Sequence, residues 1–469
     1  MDKNIGLSRR MILKSIAGTS VAVGATGSRS ANKGAVPEDE HLYIVLAGGS
    51  GLRDRIQRSG FDVLHELANE SLFIVQGPED RRDKLRTMAV VNDVIPDTTY
   101  AVNDMEKVAD NSTITEKPSY ETQWDKQLME TATAHNHATG NGTTVAIIDT
   151  GISHTHSALA SQINTDHSRL FRYGRMYSGV DDVLVAKEPP GFFPEVTTIT
   201  QPVAGDVSGH GTSVAGITAS ARNDTGIVGI APDAEIISLR SMFWEQLNEY
   251  RNTLVGTITD TLLAIDYAVE LGVDVINLSL GQKQPSDSRI FTAYRRVIQH
   301  AIEQDTVVVA AAENYGVDLD QETDYVLPAD IPGAITVAAT GPSDRRSHYS
   351  NYGNGTVDVA APGGGYETTE KTAISDPEIV EFPYPTNNVL STVSQDIYGS
   401  QYDYVNGTSI AAPQVAGLAC LIRELDPNIH PRRVQQAIEK GAVELSGEYT
   451  SGLGAGRINA SDTLERVVR

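Results

Sequence analysis

Val145-Ala146-Ile147-Ile148-Asp149-Thr150-Gly151 is a run of apolar residues that ends on a carboxylate and a small-residue turn. Such a run reads as a strand buried on both faces, because a half-exposed strand would alternate apolar with polar. Comparable runs follow at 273–278, 306–311, 334–338 and 357–361. Between them Ile258, Leu262, Ile265 and Val269 recur at the spacing of one helix face. Buried strands alternating with helices predict an α/β fold across 121–469, a mainly parallel central sheet with helices on both faces. Ligands of such sheets bind beyond the carboxyl ends of the strands, where Asp149 stands.

Asp-Thr-Gly alone is weak: it opens turns, and it supplies half of an aspartic-protease pair, which needs a second like carboxylate in matching context. A more restrictive string is Gly209-His210-Gly211-Thr212-Ser213-Val214-Ala215-Gly216. Glycines on both sides let an accessible imidazole open a helix, and the small residues after it let that helix pack closely. A third string is Asn406-Gly407-Thr408-Ser409-Ile410-Ala411-Ala412-Pro413. It sets Ser409 at a helix start, where backbone N–H groups favour developing negative charge.

Together these three strings resemble the subtilisin family of serine proteases, whose chain order Asp, His, Ser is matched here. Gly226–Pro232, Ile276–Gly281 and Gly454–Ala460 are similar to further family segments. The resemblance covers 121–465 and, in detail, is to secreted halolysin-type proteases of haloarchaea. It implies Ser409 as nucleophile, His210 as general base and acid, and Asp149 as the group that orients His210. The run 308–314 resembles the family strand whose last residue, here Asn314, completes the oxyanion hole. The main chain of Ser279, Leu280 and Gly281 is implied to bind substrate as an added strand. No cofactor is implied for the chemistry, and the partners are polypeptide substrates and the chain's own propeptide.

Upstream, Ser8-Arg9-Arg10-Met11 precedes a weakly apolar stretch at 16–24, so 1–36 reads as a twin-arginine signal segment of a secreted protein. Strand-like runs at 42–46, 71–75 and 90–95 flank a helix-compatible 78–88 and give 37–96 its own small α+β unit. By resemblance this is the inhibitor and chaperone propeptide. The polar stretch 97–120 reads as an exposed linker and maturation region.

Formal charge is −24, from 61 acidic and 37 basic residues. That argues against a nucleic-acid partner, and with only 11 lysines it suits a salt-adapted surface. No apolar run is long enough for a membrane span in the mature protein. The single Cys420 cannot form an intramolecular disulfide and lies in an apolar run. A monomer is implied by the resemblance.

Three departures from the family pattern stand out. Glu313 stands where the family usually has Gly. A carboxylate entering the P1 pocket would favour Arg or Lys there, whereas one turned away or hydrogen-bonded, the expectation adopted, leaves specificity alone. Val326 stands at the pocket floor. Ala158 replaces a carboxylate of the family's strong calcium site, leaving Asn223 as one matching ligand; structural calcium has no assignable ligand set, although the acidic loop 318–324 offers oxygens. Insertions at 183–204 and 365–386 read as surface loops. A silent polypeptide-binding relative is the rival function, with Glu313 its one support.

Overall fold

The computed structural model describes residues 40–49, 51–102, 118–187, 194–222, 226–248 and 251–468. The expected signal segment, residues 103–117 and Asn223 lie outside these.

The first unit runs β1 (His41–Ala47), α1 (Arg53–Arg58), β2 (Asp62–Leu67), β3 (Leu72–Gly77), α2 (Arg82–Arg86) and β4 (Val91–Pro96). Its antiparallel sheet has the order β2-β3-β1-β4. Strand alternation sorts the side chains. Tyr43, Val45, Phe73 and Val75 face a private core with Ile56, Phe61 and Leu85. Leu42, Ile44, Leu46, Leu72 and Ile74 face the rest of the protein and join its core.

Next come β5 (Thr99–Ala101), α3 (Trp124–Leu128), β6 (Thr144–Asp149), β7 (Arg169–Arg172), β8 (Arg175–Tyr177), β9 (Val180–Ala186) and β10 (Val196–Pro202). They are followed by α4 (His210–Ala219), β11 (Glu235–Arg240), β12 (Met242–Asn248), β13 (Arg251–Thr257), α5 (Ile258–Glu270), β14 (Val275–Leu278) and β15 (Gln282–Gln284). The last elements used below are α6 (Ile290–Glu303), β16 (Val307–Ala311), β17 (Tyr325–Leu327), β18 (Ile335–Thr340), β19 (Val359–Pro362) and α7 (Thr408–Leu425).

The main sheet has eight strands in the order β19-β18-β16-β14-β6-β11-β7-β8, parallel throughout except for β8. Both faces are covered, as the apolar runs require. Val145, Ile147, Val275, Val307 and Val309 pack with residues of α4 and α7 on one side. Ala146, Ile148, Ile276, Leu278, Val308 and Ala310 pack with α5 and α6 on the other.

Two expectations are corrected. The insertion 183–204 is not a plain loop: β9 and β10 pair antiparallel along its described length. In 365–386, Tyr366 and Val380 are buried, and Tyr366 donates to the Phe382 carbonyl at 3.1 Å, so packing shapes that segment too.

Residues 97–102 are not an exposed linker either. Asp97 accepts the Thr259 N–H (3.0 Å) and the Thr98 carbonyl accepts the Ile258 N–H (3.2 Å), so both cap the start of α5. β5 then pairs antiparallel with β13, giving that strand a partner on its open side. Val102 continues the ladder by donating to the Leu254 carbonyl at 2.9 Å. The first unit is tied on elsewhere. Ala68 N–H donates to Asp266 (2.9 Å), Arg296 to the Ala47 carbonyl (2.6 Å), and His65 Nε2 lies 2.9 Å from the Gly174 carbonyl.

Beneath α7 lies a buried ionic group. Lys126, fully enclosed, donates to Asp125 Oδ2 (2.7 Å) and Gln414 Oε1 (2.8 Å), and Gln414 Nε2 donates to the same Asp125 oxygen (2.8 Å). Removing one member strands the other charge in the core. Lys126→Met should therefore lower unfolding free energy by about 3–5 kcal/mol. Asp125→Asn added to that variant should restore part of the loss, as read from denaturant midpoints.

Candidate active site

Asp149 closes β6 and is fully buried. Its Oδ1 accepts the Thr150 N–H at 2.7 Å and lies 2.7 Å from His210 Nδ1, whose proton it accepts. Its Oδ2 has no hydrogen-bond partner among the described residues. His210 opens α4, partly buried, with Gly209 before it at φ +101°. A Cβ on Gly209 would collide with the Tyr398 ring, and one on Gly211 with the Gly151 carbonyl. Glycine on both sides of His210 is therefore what lets the helix start lie against the 149–151 turn.

The connection between that turn and α4 is Asp206, buried and four residues before His210. Its Oδ1 accepts Thr150 Oγ1–H (2.9 Å) and the N–H groups of Ser208 (3.1 Å) and Gly209 (2.9 Å). Its Oδ2 accepts the Thr212 N–H (3.0 Å) and the Thr212 hydroxyl. Burial raises the Asp206 pKa and these donors oppose the rise. Sequence reading passed over it, because nothing local distinguishes it from a loop aspartate.

Ser409 sits in the first turn of α7, 8% exposed. Asn314, just beyond β16, accepts the Thr408 N–H (2.9 Å) and hydroxyl (3.0 Å) on its Oδ1. That fixes the amide orientation and leaves Nδ2 as the free donor end. The point where a Cβ on Gly407 would sit is 2.9 Å from Ser409 Oγ and 3.8 Å from Asn314 Nδ2, so both groups border one small space. Tyr349 holds the approach to it: its hydroxyl accepts the Gly407 N–H (3.0 Å) and reaches the carbonyls of Gly363 (2.8 Å) and Gly364 (2.9 Å).

Pro413 lies inside α7 and has no N–H for the carbonyl four residues back, which is that of Ser409. Ser279 repairs this: its hydroxyl donates to the Ser409 carbonyl at 2.8 Å and accepts from Asn277 Nδ2 at 2.9 Å. Ser279 was singled out for its main chain, so this side-chain role was missed. Leu280 is buried, and Gly281 leads into β15.

Glu313 corrects an expectation. It occupies the left-handed region (φ +73°), unfavourable for a non-glycine residue by about 1–2 kcal/mol. Its carboxylate is not turned away or hydrogen-bonded. It lies against Gly281, where an added Cβ would sit 2.7 Å from Oε1, and it makes no hydrogen bond or ion pair with described residues. Burial raises its pKa to about 7, with His210 pulling it down. Val326 is fully buried among Ala312, Leu319 and Ala329, in β17 beside β15.

The structure therefore joins Asp149 with His210, and Ser409 with Asn314 and Ser279. Both groups lie at the carboxyl ends of the adjacent strands β6, β14 and β16. Glu313 touches Gly281 and feels His210. No cluster of three His, Cys, Asp or Glu suited to a metal occurs among the described residues. In the 318–324 loop Asp318 accepts from the Gln321 side chain (2.7 Å) and Asp320 from the Gly355 N–H (2.9 Å).

The model of the subtilase family matches residues 140–459. This chain belongs to the subtilase family. A thermophilic serine proteinase of Bacillus sp. strain AK1 is 33% identical over 325 residues, 69% of this chain and 62% of that protein. Thermitase of Thermoactinomyces vulgaris is 32% identical over 344 residues, 73% of this chain and 96% of its own. The solved epidermin leader peptide processing serine protease of Staphylococcus aureus superposes with a TM-score of 0.68 at 21% identity, over 92% of this chain and 99% of that one, a likeness of fold. This subtilase is a serine endopeptidase acting on polypeptides. Membership retires the aspartic-protease pair, although Asp-Thr-Gly recurs at 224–226.

Ser279→Ala leaves the buried Ser409 carbonyl without a donor. It should cost this subtilase about 1–3 kcal/mol in stability, measured as a lowered denaturant midpoint with a serine-protease inhibitor present to stop self-digestion.

Proposed function

We propose that the chain is the precursor of a secreted serine endopeptidase in which Asp149, His210 and Ser409 form the catalytic triad and Asn314 is an oxyanion donor. The observation that carries the assignment is the 2.7 Å contact between Asp149 and His210; a helix-start serine bordered by the Asn314 amide, at the carboxyl ends of the same group of strands, supports it. Asp149 holds His210 with Nδ1 protonated, which leaves Nε2 as the base. Ser409 Oγ attacks the scissile carbonyl as its proton passes to that nitrogen, and the imidazolium then protonates the leaving amine. Asn314 Nδ2 and backbone N–H groups at the start of α7 meet the oxyanion. Water repeats the sequence on the acyl-enzyme. The extended main chain of 279–281 binds the substrate as an added strand.

Residues 1–36 are taken as a twin-arginine signal and 37–96 as a propeptide that inhibits in cis, removed with the maturation region 97–120 from the peptidase domain, 121–469. The strong acidic excess supports a salt-adapted, halolysin-type enzyme; the twin-arginine segment supports work outside the cell, and the family resemblance a monomer. For the propeptide, support comes from the contacts of 37–96 with the peptidase domain at Asp266 and Arg296, and from the docking of the adjoining 97–102 along β13.

A fluorophosphonate probe should label the processed protein and leave Ser409→Ala unlabelled. A folded, processed wild type that fails to label would return the chain to a silent polypeptide binder.

Docking of the propeptide should depend on pH. Burial raises Asp97 to about 6, and burial with repulsion from Asp97 raises Asp260 to about 8. A pKa raised in the docked state means that the docked state holds the proton more tightly. Asp260 is buried within the peptidase domain itself, so only its repulsion by Asp97 is linked to docking. Affinity is then full below the ordinary carboxylate range, about 4, and is lost as pH rises through about 6. The inhibition constant of an added fragment carrying the propeptide and its 97–102 extension should rise roughly tenfold between about pH 4.5 and 6.5, and Asp97→Asn should flatten the profile.

A further inference from the structure

Glu313 presents a carboxylate that the described residues leave unmatched. It stands next to Asn314, packs on Gly281 and is close enough to His210 for the two charges to interact. Its backbone is held in the left-handed region, the less favourable one for a side-chain-bearing residue. The neighbouring cation on β15, Lys283, does not serve it: Lys283 is paired with Glu322 at 2.9 Å and lies over the Tyr315 ring. Tyr100 and Tyr315, the other titratable groups close by, bring no positive charge. Val326, on β17 beside β15, is buried among apolar side chains and brings Glu313 no charge.

We infer that Glu313 is the specificity residue of this protease and that the side chain it receives, immediately before the scissile bond, is the ammonium or guanidinium of lysine or arginine. A cation brought by the substrate supplies the partner that no described residue provides, and in a partly enclosed cleft such a pair discriminates strongly. Burial, which pushes the acid up to about 7, makes that cation more welcome, since it restores the ionised form. The inference rests on Ser409 being the nucleophile of the proposed triad.

The test uses the processed enzyme at pH 8.5, with active sites first counted by fluorophosphonate labelling. Peptide p-nitroanilides differing only in the last residue, Arg, Lys, Leu or Phe, are then compared by kcat/KM. Arg and Lys should exceed Leu and Phe by roughly ten- to a hundredfold, and Glu313→Gln should collapse the ratio towards one. Wild-type enzyme alone gives a second reading that needs no variant: benzamidine should inhibit competitively and far better than neutral benzamide. Labelled enzyme that prefers Leu or Phe, or that binds the two small molecules equally, overturns the inference and leaves the triad standing. Absence of labelling overturns both.

Discussion

Asp206 carries the arrangement on which the rest of the site depends. A buried carboxylate is costly to desolvate, and this one is held by five donors drawn from two separate parts of the chain. Thr150 belongs to the turn that ends β6, while Ser208, Gly209 and Thr212 belong to the start of α4. Thr150 closes the loop by accepting the Gly211 N–H at 2.9 Å. The distance between Asp149 and His210 is thus set by a polar network whose members lie within a few residues of each. A five-donor carboxylate tolerates little displacement, because each shifted donor would leave a buried group unpaired. The imidazole can then be held without the helix itself being strained.

The serine side is built on a different constraint, a deliberate gap in a helix. Pro413 removes one hydrogen bond from the first turns of α7, and the freed Ser409 carbonyl is taken up by Ser279, the residue that follows β14. The segment leaving β14 and the helix that carries Ser409 are thereby joined by one hydroxyl. Tyr349 does the equivalent at Gly407. Movement of either segment would break a buried hydrogen bond, so Ser409, the Asn314 amide and Ser279 are held to one another by named hydrogen bonds.

Much of this was legible in the sequence, and the reason is physical. Strands buried on both faces must be apolar at nearly every position, so β6, β16, β18 and β19 could be read within a residue or two. Asp149, His210 and Ser409 were legible as candidates because the glycines and small residues around them are demanded by close packing, whereas Asn314 was legible only through the family resemblance of the run 308–314. β2 was not legible: Asp62-Val63-Leu64-His65-Glu66-Leu67 mixes exposure along its length and obeys no clean period. Asp206, Tyr349 and the Ser279 hydroxyl escaped for another reason. Their partners are fixed by tertiary contact, and a serine 130 residues from the carbonyl it satisfies carries no local mark. The strand at 99–101 is polar enough to pass for a linker, because its order comes from β13 and the start of α5.

The charge distribution adds a last step. The chain carries a large acidic excess, yet cations are drawn inward: Lys126, Arg240, Arg423 and Arg457 are all buried, each donating to carbonyls or carboxylates. With basic residues outnumbered and these four committed to the interior, no cation among the described residues pairs with Glu313. The surface field and Glu313 then act over different ranges. Exposed carboxylates attract cationic segments only within a Debye length, about 8–10 Å at moderate salt and about 3 Å at 1 M. A carboxylate packed on Gly281 meets its partner at contact, where salt screens poorly. At high ionic strength the general attraction of an acidic protein for basic polypeptides fades, while discrimination at Glu313 persists. An enzyme working in salt could not choose among substrates by surface charge, and would need its selectivity inside the cleft.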